Sequence, residues 1–416
     1  MAPFEVWASP EPSFARIGQT SARDLLAETG HERRDADIGL LASLGIRATR
    51  YPVLWEKCAP EPSAAPDFAW ARRRLEALRE ARIEPILTLV HHGSGPRWTS
   101  LTDPGFPQAL AHYAAAAASA FPWVKRWTPL NEPLATARFA TLYGVWYPNR
   151  VQDHAAFGHA VAYQALGTLL AMEAIRTRIP DAELVATEDL QGFDALDDDT
   201  EVVRYVAHKR ERAFLSIELL MGRVRPGHAL YAYLGERCGV ARGLLARIVE
   251  RAIVPDLIGW NYYPYSERVL SRTPSGAIAN EGRVIYAPGT LAPETLLRRA
   301  HERLGIPFGL SEVHVHAPEA GRVRWLLQRH AELTRLAAGG FPVRMFGAWA
   351  AFGTLDWDSL LTRREHRTED GIFTFAGGDE TPRETAVAPA VRALACGESV
   401  AFPQELGWWE THGEAT

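Results

Sequence analysis

Short apolar runs alternate along this chain with longer stretches whose apolar positions recur every three or four residues, the pattern of strands separated by amphipathic helices. Eight runs have the length and residue content of a buried strand: 4–8, 46–51, 85–91, 126–131, 184–188, 257–263, 308–312 and 344–350. Between them the spacing predicts helices, residues 69–81 among them. Gly45 closes the helix before the second strand, and Pro180 and Asp181 end a long alanine-rich helix before the fifth. Strands that alternate with helices throughout call for a parallel sheet, and eight such units close on themselves. The expected fold is therefore α/β, a single (β/α)8 TIM barrel.

No Gly/Ser linker or block of like charge divides the 416 residues, so 1–416 reads as one catalytic barrel domain. The alanine run 111–120 reads as a close-packed helix. An insertion at 264–293, rich in Ser, Thr, Gly and Pro, follows the sixth strand, where barrel loops shape specificity.

Composition narrows the partners. Hydrophobic residues make up 47% and charged residues 23%, ordinary for a chain with a large core. Net charge is −5 with both signs interspersed, which argues against nucleic acid or an anionic membrane and for a neutral small-molecule partner. No 18-residue apolar run or basic, apolar leader is apparent, and the three cysteines are odd in number and far apart. A cytoplasmic location without disulfides is expected. Thirteen tryptophans and twelve tyrosines suit the stacking of pyranose rings. His31, His92 and His159 are not at ligand spacing, so neither a metal nor a cofactor is expected, and Cys58 reads as a packed residue.

The candidate chemistry lies at strand ends. Asn131-Glu132-Pro133 follows the apolar segment 124–130, so the fourth strand delivers a carboxyl to the C-terminal mouth where barrel enzymes keep their sites. Glu312 ends the seventh strand, across the mouth from the fourth. Two carboxyls about 5–5.5 Å apart across a sugar are what retaining glycoside hydrolysis needs. Other strand ends are polar or aromatic: Arg50 and Tyr51, His91 and His92, Asn261 to Tyr263, and Trp349. An arginine and a tyrosine near Glu312 hold it as an oriented nucleophile, whereas Glu132 must stay protonated and needs a less cationic setting.

These residues together resemble the family 1 glycoside hydrolases, the β-glucosidase family of retaining barrel enzymes, as a divergent branch. Residues 48–55, Ala-Thr-Arg-Tyr-Pro-Val-Leu-Trp, are similar to the family's Tyr-Arg-Phe-Ser-Ile-Ser-Trp segment, and residues 87–92 to its Thr-Leu-x-His-Trp. Residues 127–133 resemble the acid/base strand, 257–263 the strand whose second Tyr touches the nucleophile, and 308–312 the nucleophile strand. The resemblance implies Glu132 as acid/base and Glu312 as nucleophile. It also implies support of the nucleophile by Arg50, Asn131 and Tyr263. For glycone binding it points to His91, Trp349 and Trp357, with Asp356 where the family has Glu; His92 and Asn261 are added as binding candidates.

The surroundings depart from the family. Its Thr-Glu-Asn-Gly reads Ser311-Glu312-Val313-His314, and its His-Trp-Asp-Leu-Pro reads His91-His92-Gly93-Ser94-Gly95-Pro96. Asp356 shortens the reach toward a sugar's outer hydroxyls by one methylene, and Glu11 stands where the family has Gln after the first strand. An extra glycone-site carboxyl at Glu11, an acidic rim extended by Glu188 and Asp189, and an aglycone contact at His314 are expected. Non-standard glycone specificity on a small-molecule or oligosaccharide glycoside follows. Similar sequences are sometimes joined to a sugar-nucleotide reductase-like domain, which suggests a bacterial surface glycan or an unusual glycoside as substrate. A transglycosidase uses the same two glutamates, and a carbohydrate-binding protein without turnover is a third reading. The oligomeric state is open.

Overall fold

The computed structural model describes residues 4–273, 275–278, 292–377 and 380–411. Eight parallel strands close a barrel: β1 Glu5–Ala8, β2 Ala48–Pro52, β3 Glu84–His91, β4 Arg126–Asn131, β5 Glu183–Asp189, β6 Leu257–Tyr262, β7 Phe308–Val313 and β8 Val343–Ala348. Each follows its predecessor around the ring, and β1 pairs with β8, Trp7 opposite Gly347. All eight predicted strands are present, with ends moved by one or two residues. Part of the 264–293 insertion lies outside the described residues; its first segment, Glu267–Leu270, pairs in parallel with Gly192–Ala195 beyond β5.

Eleven helices of six residues or more surround the described barrel: α1 Asp37–Ser43, α2 Ala69–Glu80, α3 Phe106–Ala120, α4 Pro133–Thr141, α5 His154–Arg178, α6 Thr200–Arg212, α7 Leu215–Leu220, α8 Arg242–Glu250, α9 Pro293–Leu304, α10 Glu319–Ala338 and α11 Val387–Cys396. Helix α3 is the predicted alanine helix, and it packs along α5, where Gly167 lets Leu110 and Phe106 come close. Helix α5 is long and apolar enough by composition to cross a membrane. Its small residues are instead used in helix packing, with 72% of the apolar stretch buried inside the protein.

The barrel interior is divided along its axis. Trp7, Ala48, Ile86, Val185, Leu257 and Met345 pack together from six strands as an apolar plug. Below it Arg126 bridges Glu5 and Glu84. Above it, at the C-terminal ends, the inward positions turn polar, because the loops and not more strand cover that end.

Both carboxyl-bearing strands carry a bulge just before the mouth. On β7, Leu310 faces Trp260 while Glu312 faces Asn261, so Ser311 is the extra residue. On β4 the register against β5 slips between Trp127 and Asn131. An extra residue bends a strand and re-aims the side chains after it. The bulge on β7 depends on bare backbone beside it: a Cβ on Gly347 would lie 2.2 Å from the Ser311 carbonyl oxygen, and one on Gly259 2.6 Å from its hydroxyl.

Candidate active site

A cavity of 510 Å³ opens at this end, and Glu11, His92, Glu132, Tyr263, Glu312 and Trp349 are among its lining residues. Both expected catalytic carboxyls face it, each more than nine-tenths buried.

Their surroundings differ. Glu312 is gripped on both oxygens: Arg50 Nη2 donates to Oε1, and the Tyr263 hydroxyl donates to Oε2 at 2.5 Å. Arg50 is fixed in turn by donating through Nη1 to Asn131 Oδ1 at 2.6 Å, which also accepts from the Thr187 hydroxyl at 2.8 Å. A carboxylate held by a guanidinium and a phenol is charged, aimed and kept from rotating. Asn131 therefore touches the arginine rather than Glu312 itself.

Glu132 accepts one hydrogen bond, from Asn261 Nδ2 at 2.7 Å, and His92 Nε2 stands 3.8 Å from its other oxygen. Burial, then Glu312, Asp189 and Glu188, push its carboxyl well above the usual range. His92 does not offset this, since burial and Arg50 lower its imidazole to about 3. The setting of Glu132 thus favours its protonated form, beside a carboxyl held by Arg50. The strongest cause is desolvation, and it acts because Glu132 lacks the donors that Glu312 has.

The backbone explains how Glu132 stays available. It occupies the residue before α4, with Pro133 at the first helical position and φ at +45°, a left-handed conformation costly for a side chain with a Cβ. A residue there ordinarily spends its side chain on the free N–H groups of the helix. Glu132 makes no such bond. Glu188, from the end of β5, takes the task, accepting from Leu134 N at 2.9 Å, Ala135 N at 3.3 Å and the Ser216 hydroxyl at 2.8 Å.

That arrangement corrects the expected acidic rim. Glu188 is fully buried, is absent from the cavity wall, and serves the helix, while burial raises it to about 7. Its neighbour Asp189 does reach the wall. Asp356 is a second correction. Its carboxylate accepts from Arg23 Nη2 at 3.0 Å and from Arg367 N at 2.9 Å, and it does not line the cavity; Trp357 and Asp358 do. The shorter side chain is drawn into an internal ion pair and has no free oxygen to offer a sugar. Two further expected sugar contacts sit behind the wall. Asn261 is spent on Glu132 and on the Ser311 hydroxyl, 2.5 Å away. His91 stacks flat on Trp349 with its Nε2 accepting from Asn131 Nδ2 at 3.2 Å.

Glu11 does reach the cavity. Its Oε1 accepts from Ser13 N at 2.9 Å and the Ser13 hydroxyl at 2.6 Å, and its Oε2 from Trp349 Nε1 at 3.0 Å. Burial, and then the charge of Glu312, still raise it to about 7. His314 lines the rim and pairs with Glu369, which also holds His316. Trp146, Trp349 and Trp357 supply aromatic wall, and His92 contacts the rings of Trp146 and Trp357 edgewise or tilted. Among the described residues no group of three or more His, Cys, Asp or Glu is placed to hold a metal ion.

Sequence reasoning missed Thr187, Ser13 and Arg138. Arg138 had a usable signal, since Glu132, Ala135, Arg138 and Phe139 recur at helical spacing and all line the cavity. Thr187 had none: one threonine inside a strand looks like any other.

Known proteins share both sequence and fold with this one. A 6-phospho-beta-glucosidase of Dickeya chrysanthemi is 27% identical over 197 residues, 42% of this chain and 40% of that protein, so the match spans well under half its length. A 1,4-beta-D-glucan glucohydrolase of Thermotoga neapolitana is 22% identical over 83% of this chain and 84% of its own. The structure of a family 1 b-glucosidase from Thermotoga maritima superposes with a TM-score of 0.78 at 17% identity, covering 96% of this chain and 98% of that one. A beta-glucosidase from Thermotoga maritima in complex with cyclophellitol gives 0.77 at 16% identity, covering 95% and 98%. These structures share the closed eight-stranded barrel. The model of Glycosyl hydrolase family 1 matches residues 12–223, half of the sequence and the part that carries Arg50, His91 and Glu132. On that match, the chain belongs to glycosyl hydrolase family 1.

Proposed function

We propose that the protein is a retaining β-glycosidase in which Glu132 is the acid/base and Glu312 the nucleophile. The observation that carries this reading is the contrast between two carboxyls in one cavity. Glu312 is clamped by Arg50 and Tyr263, while Glu132 is desolvated and its carboxyl pushed well above the usual range. In the first step Glu132 protonates the leaving oxygen while Glu312 forms the glycosyl-enzyme. In the second, Glu132, now a carboxylate, takes a proton from water, which releases the sugar. Two carboxyls and water suffice; no cofactor or metal takes part.

Family membership and the inhibitor complex of the Thermotoga neighbour support a sugar-shaped site. The glycone differs from plain glucose: Asp356 is withdrawn into its pair with Arg23, and Glu11 adds a carboxyl beside Trp349. The substrate is a small-molecule or oligosaccharide glycoside.

A panel of 2-deoxy-2-fluoroglycosides with good leaving groups tests the assignment. One member is expected to add one glycosyl mass, located on Glu312 by peptide mass spectrometry. Glu312→Ala should abolish hydrolysis, and azide should restore release of the aglycone with an inverted glycosyl azide as product. Ordinary turnover by Glu312→Ala would sink the assignment. Product analysis with added acceptor sugars separates hydrolysis from transglycosylation.

A further inference from the structure

Glu11 is a buried carboxyl without a cation. It follows β1, is 5% exposed, and lines the cavity beside Trp349, which follows β8, the strand paired with β1. Among the described residues no lysine or arginine pairs with it. Its hydrogen-bond partners are neutral: the Ser13 backbone and hydroxyl on Oε1, and the Trp349 indole on Oε2. His91 Nε2 lies 3.8 Å from Oε1, but burial, then His92 and Arg50, hold that imidazole well below its usual range and so neutral. Arg50 itself donates to Glu312 and Asn131.

A buried carboxylate ordinarily has a cation beside it or a full set of donors. The two oxygens offer about four acceptor sites. Ser13 fills two of them on Oε1 and Trp349 fills one on Oε2, which leaves Oε2 open to a further donor in a residue that faces the cavity. Burial and then Glu312 raise the carboxyl to about 7, so at neutral pH it gives up its proton readily when a cation arrives. Position decides which part of a ligand it meets. Glu11, Glu132 and Glu312 are all buried, whereas Tyr265 and His316, which line the same cavity, are exposed. A sugar seated between the two glutamates meets Glu11 in the closed part, and its leaving group extends toward the open rim.

We propose that Glu11 receives an ammonium group carried by the glycone, so that the substrate is a glycoside of an amino sugar with a free amine. The inference deepens the retaining-glycosidase reading and rests on a sugar lying between Glu132 and Glu312. An ammonium is a donor only, and it supplies the charge that the fold leaves out. A hydroxyl can fill the same acceptor site, but it leaves the charge unmatched. A uronic acid brings a second negative charge and is refused.

Calorimetric titration at pH 7 with 1,5-anhydroglucitol, 1,5-anhydrogalactitol and their singly amino-deoxy derivatives tests this. These compounds have no glycosidic bond to cleave, so the result stands or falls apart from the labelling of Glu312. At least one amine should bind the wild-type protein roughly tenfold or more tighter than its hydroxyl parent, and N-acetylation should remove the gain. The ratio of amine to parent affinity should fall roughly tenfold or more in Glu11→Gln, and Glu11→Asp should keep part of it. Equal binding of every amine and its parent by the wild-type protein overturns the proposal even if the variants do not fold. So does an amine preference undiminished in folded Glu11→Gln, which would place the ammonium at Glu312 or Glu132, and so does tighter binding of the corresponding uronic acid than of any amine.

Discussion

Glu11 offers a prediction whose sign changes with pH. Its carboxyl titrates near 4.5 in the unfolded chain and is raised to about 7 in the fold, by burial first and Glu312 second. Between those values the folded protein holds a proton that the unfolded chain has released. The contribution of Glu11 to stability therefore falls as pH rises from about 4.5 to about 7 and is flat on either side. At about 1.4 kcal/mol per pH unit the loss is roughly 3 kcal/mol. Glu11→Gln removes it, since an amide does not titrate. The amide has its own cost. Its oxygen can accept both Ser13 donors, but its nitrogen then faces Trp349 Nε1, a donor that it cannot accept from. Losing that bond costs about 1 kcal/mol at every pH. The variant should be the less stable protein at pH 4.5 and the more stable one at pH 8. With an unfolding entropy of roughly 0.9 kcal/mol per kelvin for a chain this long, the difference in Tm should swing by about 3 °C between those pH values. Calorimetric melts of both proteins across that range decide it. A constant Tm difference would mean that Glu11 titrates alike folded and unfolded, and the argument for a buried third carboxyl would fail.

Three other outcomes follow from the same geometry. Glu132→Gln should lower kcat/KM roughly 10²–10⁴-fold for substrates with poor leaving groups, and abolish the alkaline limb of the pH profile. In the wild type that limb should lie above the ordinary carboxyl value of 4.5, because burial and Glu312 raise Glu132; its persistence in the variant would reassign the acid. Asp356→Ala should cost about 3–5 kcal/mol by leaving buried Arg23 without one of its carboxylates, with little change in KM, since Asp356 is away from the cavity. A KM effect without a Tm effect would return it to the sugar site. Gly347→Ala should lower Tm and slow the labelling of Glu312 together, because the new Cβ would lie 2.2 Å from Ser311 O and push the β7 bulge aside.

The eight strands were legible because each is buried on both faces, so its apolar run interrupts the helical spacing on either side without ambiguity. Helix α5 is apolar for a related reason: a helix packed on most sides by other helices has the composition of a membrane span. At the site, Glu132, Glu312, Arg50 and Tyr263 were readable from strand ends, because a barrel places the residue after each strand at one mouth whatever the loops do.

Direction, by contrast, was not readable. Sequence placed Asp356, Glu188, Asn261 and His91 near the mouth, and each is near it, yet none lines the cavity. Which way such a side chain turns depends on partners far along the chain: Arg23 for Asp356, the N-terminus of α4 for Glu188, Ser311 for Asn261 and Trp349 for His91. The sequence by itself determined the barrel and the two opposed glutamates, since both follow from local periodicity and strand order. Only the tertiary structure decided which polar groups remain for a ligand, because a buried group first satisfies its hydrogen bonds with whatever the fold brings beside it.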